Sequence, residues 1–273
     1  MNQIPEEITR LIAEGALFVI NHSAGKDSQA MTILLHTLIP ADQLLMVHAD
    51  LGEVEWQGNV EHINANSFGL PLITTCNRRT KFLDMVLNRR MWPSPKYRQC
   101  TSDQKRDPIN GVIRRYLKAN PRFNGKVVSC MGIRAAESSS RAKQVPLRRN
   151  ERQSLSTRRI QREWWEWLPI FTLSTPQVFA LIAAAGQKPH PAYLSGMSRL
   201  SCVFCIMANK RDLRIAATLR PALYRTYVKI EKQIGHTLSM EGRPLEEVTG
   251  IPALPDEADA PDLPLGIPVE VAA

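Results

Sequence analysis

Residues 17–38 constrain the fold more than any other stretch of the chain. Leu17-Phe18-Val19-Ile20 is an unbroken apolar run, as expected of a strand buried on both faces. It breaks into the polar loop Ser23-Ala24-Gly25-Lys26-Asp27-Ser28, and a helical pattern follows through Ala30, Ile33, Leu34 and Leu38. A strand feeding a tight loop that opens a helix aims several backbone N–H groups and the positive helix end at one point. That suits a phosphate. Gly25 lets the backbone approach closely, Lys26 brings a compact cation, and Ser23 and Ser28 add hydroxyl donors. The Walker A spacing is absent. The alternative is an ordinary strand-to-helix turn that happens to contain a lysine.

The same alternation repeats downstream. Leu44–His48, Leu72–Thr75 and Lys126–Met131 read as further short buried strands. Helical patterns lie between them, over Trp56–Asn66, Thr80–Asn88 and Asp107–Ala119, and another spans Pro176–Ala185 with Ser174 or Thr175 as its cap. This predicts an α/β fold with a doubly wound, mainly parallel sheet that binds ligands at the carboxyl ends of its strands. The loops after Ile20, His48, Thr75 and Met131 are therefore where chemistry is expected.

Composition narrows the class. A hydrophobic fraction of 44% over 273 residues supports a substantial core, and no apolar run nears the roughly 20 residues of a membrane span. Met1–Glu14 reads as an amphipathic helix rather than an export signal, and five cysteines, an odd number, argue against a disulfide framework. A cytoplasmic chain without membrane contact is expected. The net charge of +9 is uneven. Arg141, Lys143, Arg148, Arg149, Arg152, Arg158, Arg159 and Arg162 face only Glu151 within their stretch. Past Arg243 there is no further Lys or Arg, while acids and prolines abound, so residues 241–273 read as an extended, weakly ordered tail.

Specific motifs occupy the predicted loops. Ser23–Ser28 resembles the Ser-Gly-Gly-Lys-Asp-Ser pyrophosphate loop of the adenine nucleotide alpha hydrolase-like ATP pyrophosphatases, with Ala24 in place of the first glycine. His48-Ala49-Asp50-Leu51-Gly52-Glu53 resembles the Asp-Thr-Gly segment of the phosphoadenosine phosphosulfate (PAPS) reductase branch. Gly132-Ile133-Arg134-Ala135-Ala136-Glu137-Ser138-Ser139-Ser140-Arg141 resembles that branch's Gly-x-Arg-x-x-Glu-Ser-x-x-Arg motif. The resemblance implies cleavage of ATP between its α and β phosphates. It gives catalytic roles to Lys26, Asp27, Asp50 and Arg134, with Mg²⁺ placed by Asp27 or Asp50. It also implies nucleotide contacts from Ser23 to Ser28, Asp50, Gly132, Arg134, Glu137 and Arg141, the arginines facing phosphate or sulfate oxygens. The alternative for Arg134 and Arg141 is a solvated basic loop.

Cys202-Val203-Phe204-Cys205 alone fits a redox pair, half a zinc site or half an iron–sulfur site. Its surroundings, from Pro191 through Tyr193, Gly196 and Arg199, resemble the corresponding stretch of PAPS reductase-like proteins that carry a [4Fe–4S] cluster. Tyr97-Arg98-Gln99-Cys100-Thr101, with Lys105 and Pro108, resembles their other cysteine element, in which adenylylsulfate reductases have two adjacent cysteines. The resemblance implies Cys100, Cys202 and Cys205 as three cluster ligands, with a fourth iron left open as in sulfur-transferring tRNA thiolation enzymes. A structural zinc site is the runner-up. Cys76 and Cys130 end strands and are expected to be small buried hydrophobes, Cys130 doubling as a candidate fourth ligand.

These elements suggest a nucleotide-binding domain over residues 1–170, a helical segment over 171–240 that completes the site with C-x-x-C, and the tail. The function implied is an ATP pyrophosphatase that adenylates a substrate for iron–sulfur-dependent sulfur transfer to nucleic acid, as in DNA phosphorothioation or tRNA thiolation. Arg148–Arg162 would hold the polyanion, with Trp164, Trp165 and Trp167 stacking beside it, unless this segment is a solvated basic helix with core tryptophans. Two alternatives stand: a PAPS or adenylylsulfate reductase, and a non-catalytic regulator that binds nucleotide and cluster. The candidate sulfur donor is a cysteine desulfurase, and the candidate assembly a homodimer.

Overall fold

The computed structural model describes residues 4–253 and 262–269. Two compact units interleave along the chain. The first takes the described residues up to Ala49, then Val60–Thr75 and Ile109–Pro189; the second takes Asp50–Asn59, Cys76–Pro108 and the described residues from His190 on. This cuts the chain differently from boundaries at 170 and 240, because compactness follows contacts, and contacts need not follow chain order.

The first unit holds a seven-stranded sheet: β1 (Leu17–Asn21), β2 (Leu44–Ala49), β3 (Leu72–Thr75), β4 (Lys126–Met131), β5 (Leu147–Arg149), β6 (Leu155–Ser156) and β7 (Gln161–Trp167). Its order is β3-β2-β1-β4-β7-β5, with β6 pairing β7. The pairs β3–β2, β2–β1, β1–β4 and β4–β7 are parallel, whereas β5 and β6 run antiparallel to β7. The expected α/β class and mainly parallel sheet are thus what the chain adopts. The chain order reverses between β1 and β4, and in open parallel sheets ligands bind at such a switch point.

Burial explains why the first four strands are legible. Leu17, Val19, Leu45, Val47, Val127 and Trp164 pack with Val112, Ile113, Leu117 and Phe123. Phe18 lies at a residue of opposite parity in β1 and meets Trp167 edge-on, with ring centroids 6.4 Å apart. With both faces covered, β1 has to be apolar almost throughout, whereas the edge strand β3 is only partly buried and ends in two threonines. Ala30 and Ile33 of the helix Lys26–Leu38 pack on Val178 and Ile182 of the helix Thr175–Ala184. Ser174 caps the latter in a capping box with Gln177, as its sequence suggested.

One segment differs from its sequence reading. Gln161–Trp167 is an inner strand, not a basic helix, and Trp164 and Trp167 are core residues. Their spacing of three residues mimics helical periodicity, but in a strand it puts one ring on each face. Neither ring is available for stacking on bases.

In the second unit the aromatic residues Trp56, Phe82, Trp92, Phe204, Tyr224 and Tyr227 form much of the core. The tail also departs from expectation where it is described. Leu245–Thr249 forms a short helix with Leu245 and Val248 buried, and Gly266 N–H donates to Ser195 Oγ at 2.9 Å. Two apolar anchors outweigh the proline content there. Residues 254–261 and 270–273, which hold Asp256, Glu257, Asp259 and Glu270, lie outside the described residues, as do Met1–Gln3 of the expected N-terminal helix, seen as Glu6–Ala13. Among the described residues, no helix is long and apolar enough to cross a membrane.

Candidate functional site

In the first unit the pyrophosphate-type loop follows β1 directly, and Gly25 caps the helix Lys26–Leu38 without a side-chain hydrogen bond. Ser28 Oγ donates to Gly25 O (2.9 Å) and accepts from Ser23 N–H (3.2 Å), which folds the loop back on the helix start. Ala24 takes φ +60°, a left-handed conformation that suits glycine, and its N–H donates to His22 Nδ1 at 3.1 Å. The glycine of the related motif is thus replaced, but the backbone shape that favours glycine is kept. Burial, and then repulsion from His48 and His62, pushes the His22 imidazole down to about 3. The ring is neutral and accepts the Ala24 N–H.

The Gly132–Arg141 loop meets this one from β4. A Cβ on Gly132 would lie 2.9 Å from the Asp27 carbonyl carbon and 3.0 Å from Ser28 N, so only glycine permits the approach. Arg134 is 2% exposed, and each nitrogen of its guanidinium donates to protein. Nε donates to Asp27 Oδ1 (2.6 Å), one terminal nitrogen to Leu173 O (3.1 Å) and the other to Thr175 Oγ1 (3.2 Å). Asp27 Oδ2 in turn accepts from Lys26 Nζ at 2.9 Å. Lys26, Asp27 and Arg134 therefore form one chain of charges, in which Arg134 braces the phosphate loop rather than pointing to solvent. Glu137 accepts from the Arg134 N–H and pairs with Arg141, which is half-buried. The fold thus brings together Ser23 to Ser28, Gly132, Arg134, Glu137 and Arg141.

In the second unit lie Asp50 and four of the cysteines, Cys76, Cys100, Cys202 and Cys205, whereas Cys130 is on β4 of the first. Asp50 is exposed and accepts from Gly52 N–H at 2.7 Å. It lines a cavity of about 560 Å³ together with Glu53, Cys76, Arg78, Arg79 and Lys81. Cys76 is exposed there, which corrects its reading as a buried hydrophobe: the residues around it, from Thr74 to Lys81, are mostly polar and leave it no core. Cys130 is buried, as expected, and burial raises its thiol pKa.

Cys100 lies in the turn Gln99–Thr101, while Cys202 and Cys205 flank Phe204, which packs on Tyr227 with ring centroids 4.9 Å apart. Burial raises the Cys202 thiol to about 12, opposed by Lys105 and reinforced by Glu55, Cys205 and Cys100. Burial and Cys205 raise Cys100 as well. The three sulfurs thus share one electrostatic environment. Lys105 Nζ donates to the buried Glu55 at 3.1 Å; burial works against its charge, but Cys202 and Glu55 outweigh that and hold it protonated.

The donor set fits a metal group. Three thiols, of which burial raises the pKa of Cys100 and Cys202, lie beside a cation that would offset the charge of thiolate ligands. Tyr227 is fully buried, and among the described residues its hydroxyl has no hydrogen-bond partner. After burial, Cys202 and Cys205 are the main causes that raise its pKa, so this unsatisfied donor sits beside the cysteines. Glu55, Tyr227 and His22 carry no sequence signal of their own: Glu55 follows no ligand spacing, and Tyr227, three residues after Tyr224, reads as helix core.

Comparison with known proteins matches residues 18–208 to the family model described as the phosphoadenosine phosphosulfate reductase domain. An uncharacterized 37.8 kDa protein of Escherichia phage 186 is 33% identical over 132 residues, which cover 48% of this chain and 36% of that one. The match thus spans about a third of that relative's length. Among solved structures, the PAPS reductase of Candida auris in its phosphate complex aligns at 13% identity and a TM-score of 0.45, over 74% of this chain and 89% of that one. The FMN adenylyltransferase of Candida glabrata aligns at 12% identity and a TM-score of 0.46, over 74% and 58%.

Proposed function

The chain belongs to the phosphoadenosine phosphosulfate reductase domain family, and on that premise we propose that it is an ATP pyrophosphatase that adenylates a nucleic-acid acceptor for iron–sulfur-dependent sulfur transfer. The coarser statement, an adenine nucleotide-binding enzyme, follows from the family. The finer one rests above all on the cysteine set: three convergent thiols, a protonated Lys105 and the unsatisfied Tyr227 hydroxyl.

In this reading the acceptor oxygen attacks the α-phosphorus of ATP–Mg²⁺. The bond to the β-phosphate oxygen breaks, and pyrophosphate leaves toward the N–H groups at the start of the helix Lys26–Leu38. Lys26 trades its bond with Asp27 for the departing phosphates, and the carboxylate of Asp27 or Asp50 would hold Mg²⁺, which would offset phosphate charge. Arg134 keeps Asp27 and the loop in place. Cys100, Cys202 and Cys205 would hold a [4Fe–4S] cluster, which supplies a site for labile sulfur. The Tyr227 hydroxyl would donate to a cluster sulfur, and Lys105 would balance its charge. Sulfide transferred to the adenylated carbon of a base, or to the adenylated phosphorus of a DNA phosphate, would take the place of the acceptor oxygen, which leaves with AMP.

Protein purified without oxygen should release pyrophosphate, not orthophosphate, from ATP–Mg²⁺, and Lys26→Ala should abolish the release. It should hold about four irons per chain, lost in Cys202→Ser and kept in Cys76→Ser. Orthophosphate as the sole product, or one zinc and no iron, would refute the reading. The family match also favours sulfonucleotide reduction, which predicts sulfite from PAPS when a reductant is supplied.

A further inference from the structure

The hairpin formed by β6 and the start of β7 carries charge that the fold does not use. Leu155 pairs with Arg162 and Ser156 with Gln161, and Thr157 N–H donates to Ile160 O at 2.9 Å. The loop is therefore the dipeptide Arg158-Arg159. Two-residue hairpin loops favour Asn-Gly, Asp-Gly or Gly-Gly, and a pair of arginines has no conformational advantage there. Both side chains are exposed, and among the described residues neither Arg158, Arg159 nor Arg152 has an ion-pair partner. Ile160 and Leu155 flank the tip and are also exposed, by 48% and 39%.

Behind the tip, like charges are crowded together. Arg162 Nε and Arg114 both donate to Gln153, and Arg114 adds to burial in lowering the Arg162 pKa. Arg149 reaches Glu151 only at 3.8 Å. Cations held this close repel one another and destabilise the unit unless an anionic partner lies over them.

We propose that this hairpin docks in the major groove of duplex DNA, with Arg158 and Arg159 at its tip gripping phosphates or guanine edges. Three observations select this partner. A two-stranded ribbon fits the roughly 12 Å major groove of B-form DNA. The major groove of an RNA duplex is too narrow for it. Residues 155–162, which form the tip, hold no aromatic side chain; Trp164 and Trp167 are in the core, and the half-buried Trp165 lies behind the tip with its indole N–H donated to Glu163 at 2.9 Å, so the tip itself offers no ring for the stacking on which single-strand binders rely. Leu155 and Ile160 then supply apolar contact for thymine methyl groups. The inference deepens the function proposed above by naming its acceptor class, and rests on it for that role alone.

The experiment is fluorescence anisotropy with a labelled DNA duplex, an RNA duplex and a DNA single strand, each titrated across a salt series. The DNA duplex should bind tightest. Arg158→Ala/Arg159→Ala should weaken it about ten- to a hundredfold, and lower the slope of log affinity against log salt by about one for each phosphate that is no longer gripped. Leu155→Ser/Ile160→Ser should weaken binding without changing that slope, which separates groove docking from bulk charge. Equal or tighter binding of the single strand or the RNA duplex, or an unchanged slope in the arginine variant, would overturn the proposal. Pyrophosphate release by the wild-type chain is read separately, so failure of the nucleotide reading is told apart from failure of the docking surface.

Discussion

Adding one methyl group at each of two glycines, both in the sheet-bearing unit, should have opposite effects. At Gly132 the new Cβ would fall 2.9 Å from Asp27 C, 3.0 Å from Asp27 O and 3.0 Å from Ser28 N. All three are backbone atoms at the start of a helix, so no rotamer change relieves the clash. Overpacking of this kind costs about 1–3 kcal/mol. At roughly 2 °C per kcal/mol for a chain this size, Gly132→Ala should lower Tm by about 2–6 °C. At Gly111, inside the helix Asp107–Ala119, the Cβ would meet only side-chain ends, Arg115 at 3.4 Å and Arg114 at 4.0 Å. Those ends can move, and alanine gains up to about 1 kcal/mol over glycine in a helix. Gly111→Ala should therefore raise Tm by about 1–2 °C. Differential scanning fluorimetry reads both. A nucleotide titration reads the second consequence: Gly132→Ala displaces the turn that carries Lys26 and Ser28 and so weakens ATP, while Gly111→Ala does not. Shifts of the same sign, or full ATP affinity in Gly132→Ala, would refute the close-approach argument.

Two further outcomes follow from the same loop. The unfolded chain takes a proton on His22 near pH 6.5, whereas the folded chain resists it down to about 3. Stability from this site is thus complete above about pH 6.5 and is lost as the pH falls toward 3; His22→Gln should flatten that acid limb in urea midpoints taken between about pH 7 and pH 4. Ala24→Gly relieves a left-handed φ at a gain of roughly 1 kcal/mol, partly offset by the freer unfolded chain. It should raise Tm slightly and tighten pyrophosphate binding; unchanged binding would show that the Ala24 methyl does not crowd the phosphates.

Legibility in the sequence follows how locally each feature is determined. β1, β2 and the centre of β4 could be read because a parallel strand covered on both faces needs an apolar run; the edge strand β3 is only partly buried and shows just Leu72 and Ile73 before its two threonines. The capped helix at Thr175 could be read because a capping box spans only four positions. β7 could not: its polar residues Glu163 and Glu166 answer to Arg10 and Arg148, far away in sequence, and its tryptophans keep a helical spacing. The exposure of Cys76 and the burial of Glu55 are likewise set by which segments pack around them.

The arginine loop separates motif from role. Its spacing identifies the loop after β4 at the switch point of the sheet, and the structure places it there, yet the Arg134 guanidinium bonds with Asp27, Leu173 O and Thr175. A guanidinium that joins the phosphate loop to the helix Thr175–Ala184 is required as strictly as one that grips a ligand, and for a different physical reason. The sequence pattern of the two cases is the same. Both side chains are buried, Arg134 at 2% and Lys26 at 5% exposure; what sets Arg134 apart is that three protein groups, Asp27, Leu173 O and Thr175, hold its guanidinium. In the function proposed above, charge on an incoming phosphate falls to Lys26 and the backbone N–H groups at the helix start. On the same proposal Arg134 would act through Asp27, whose carboxylate it holds beside Lys26.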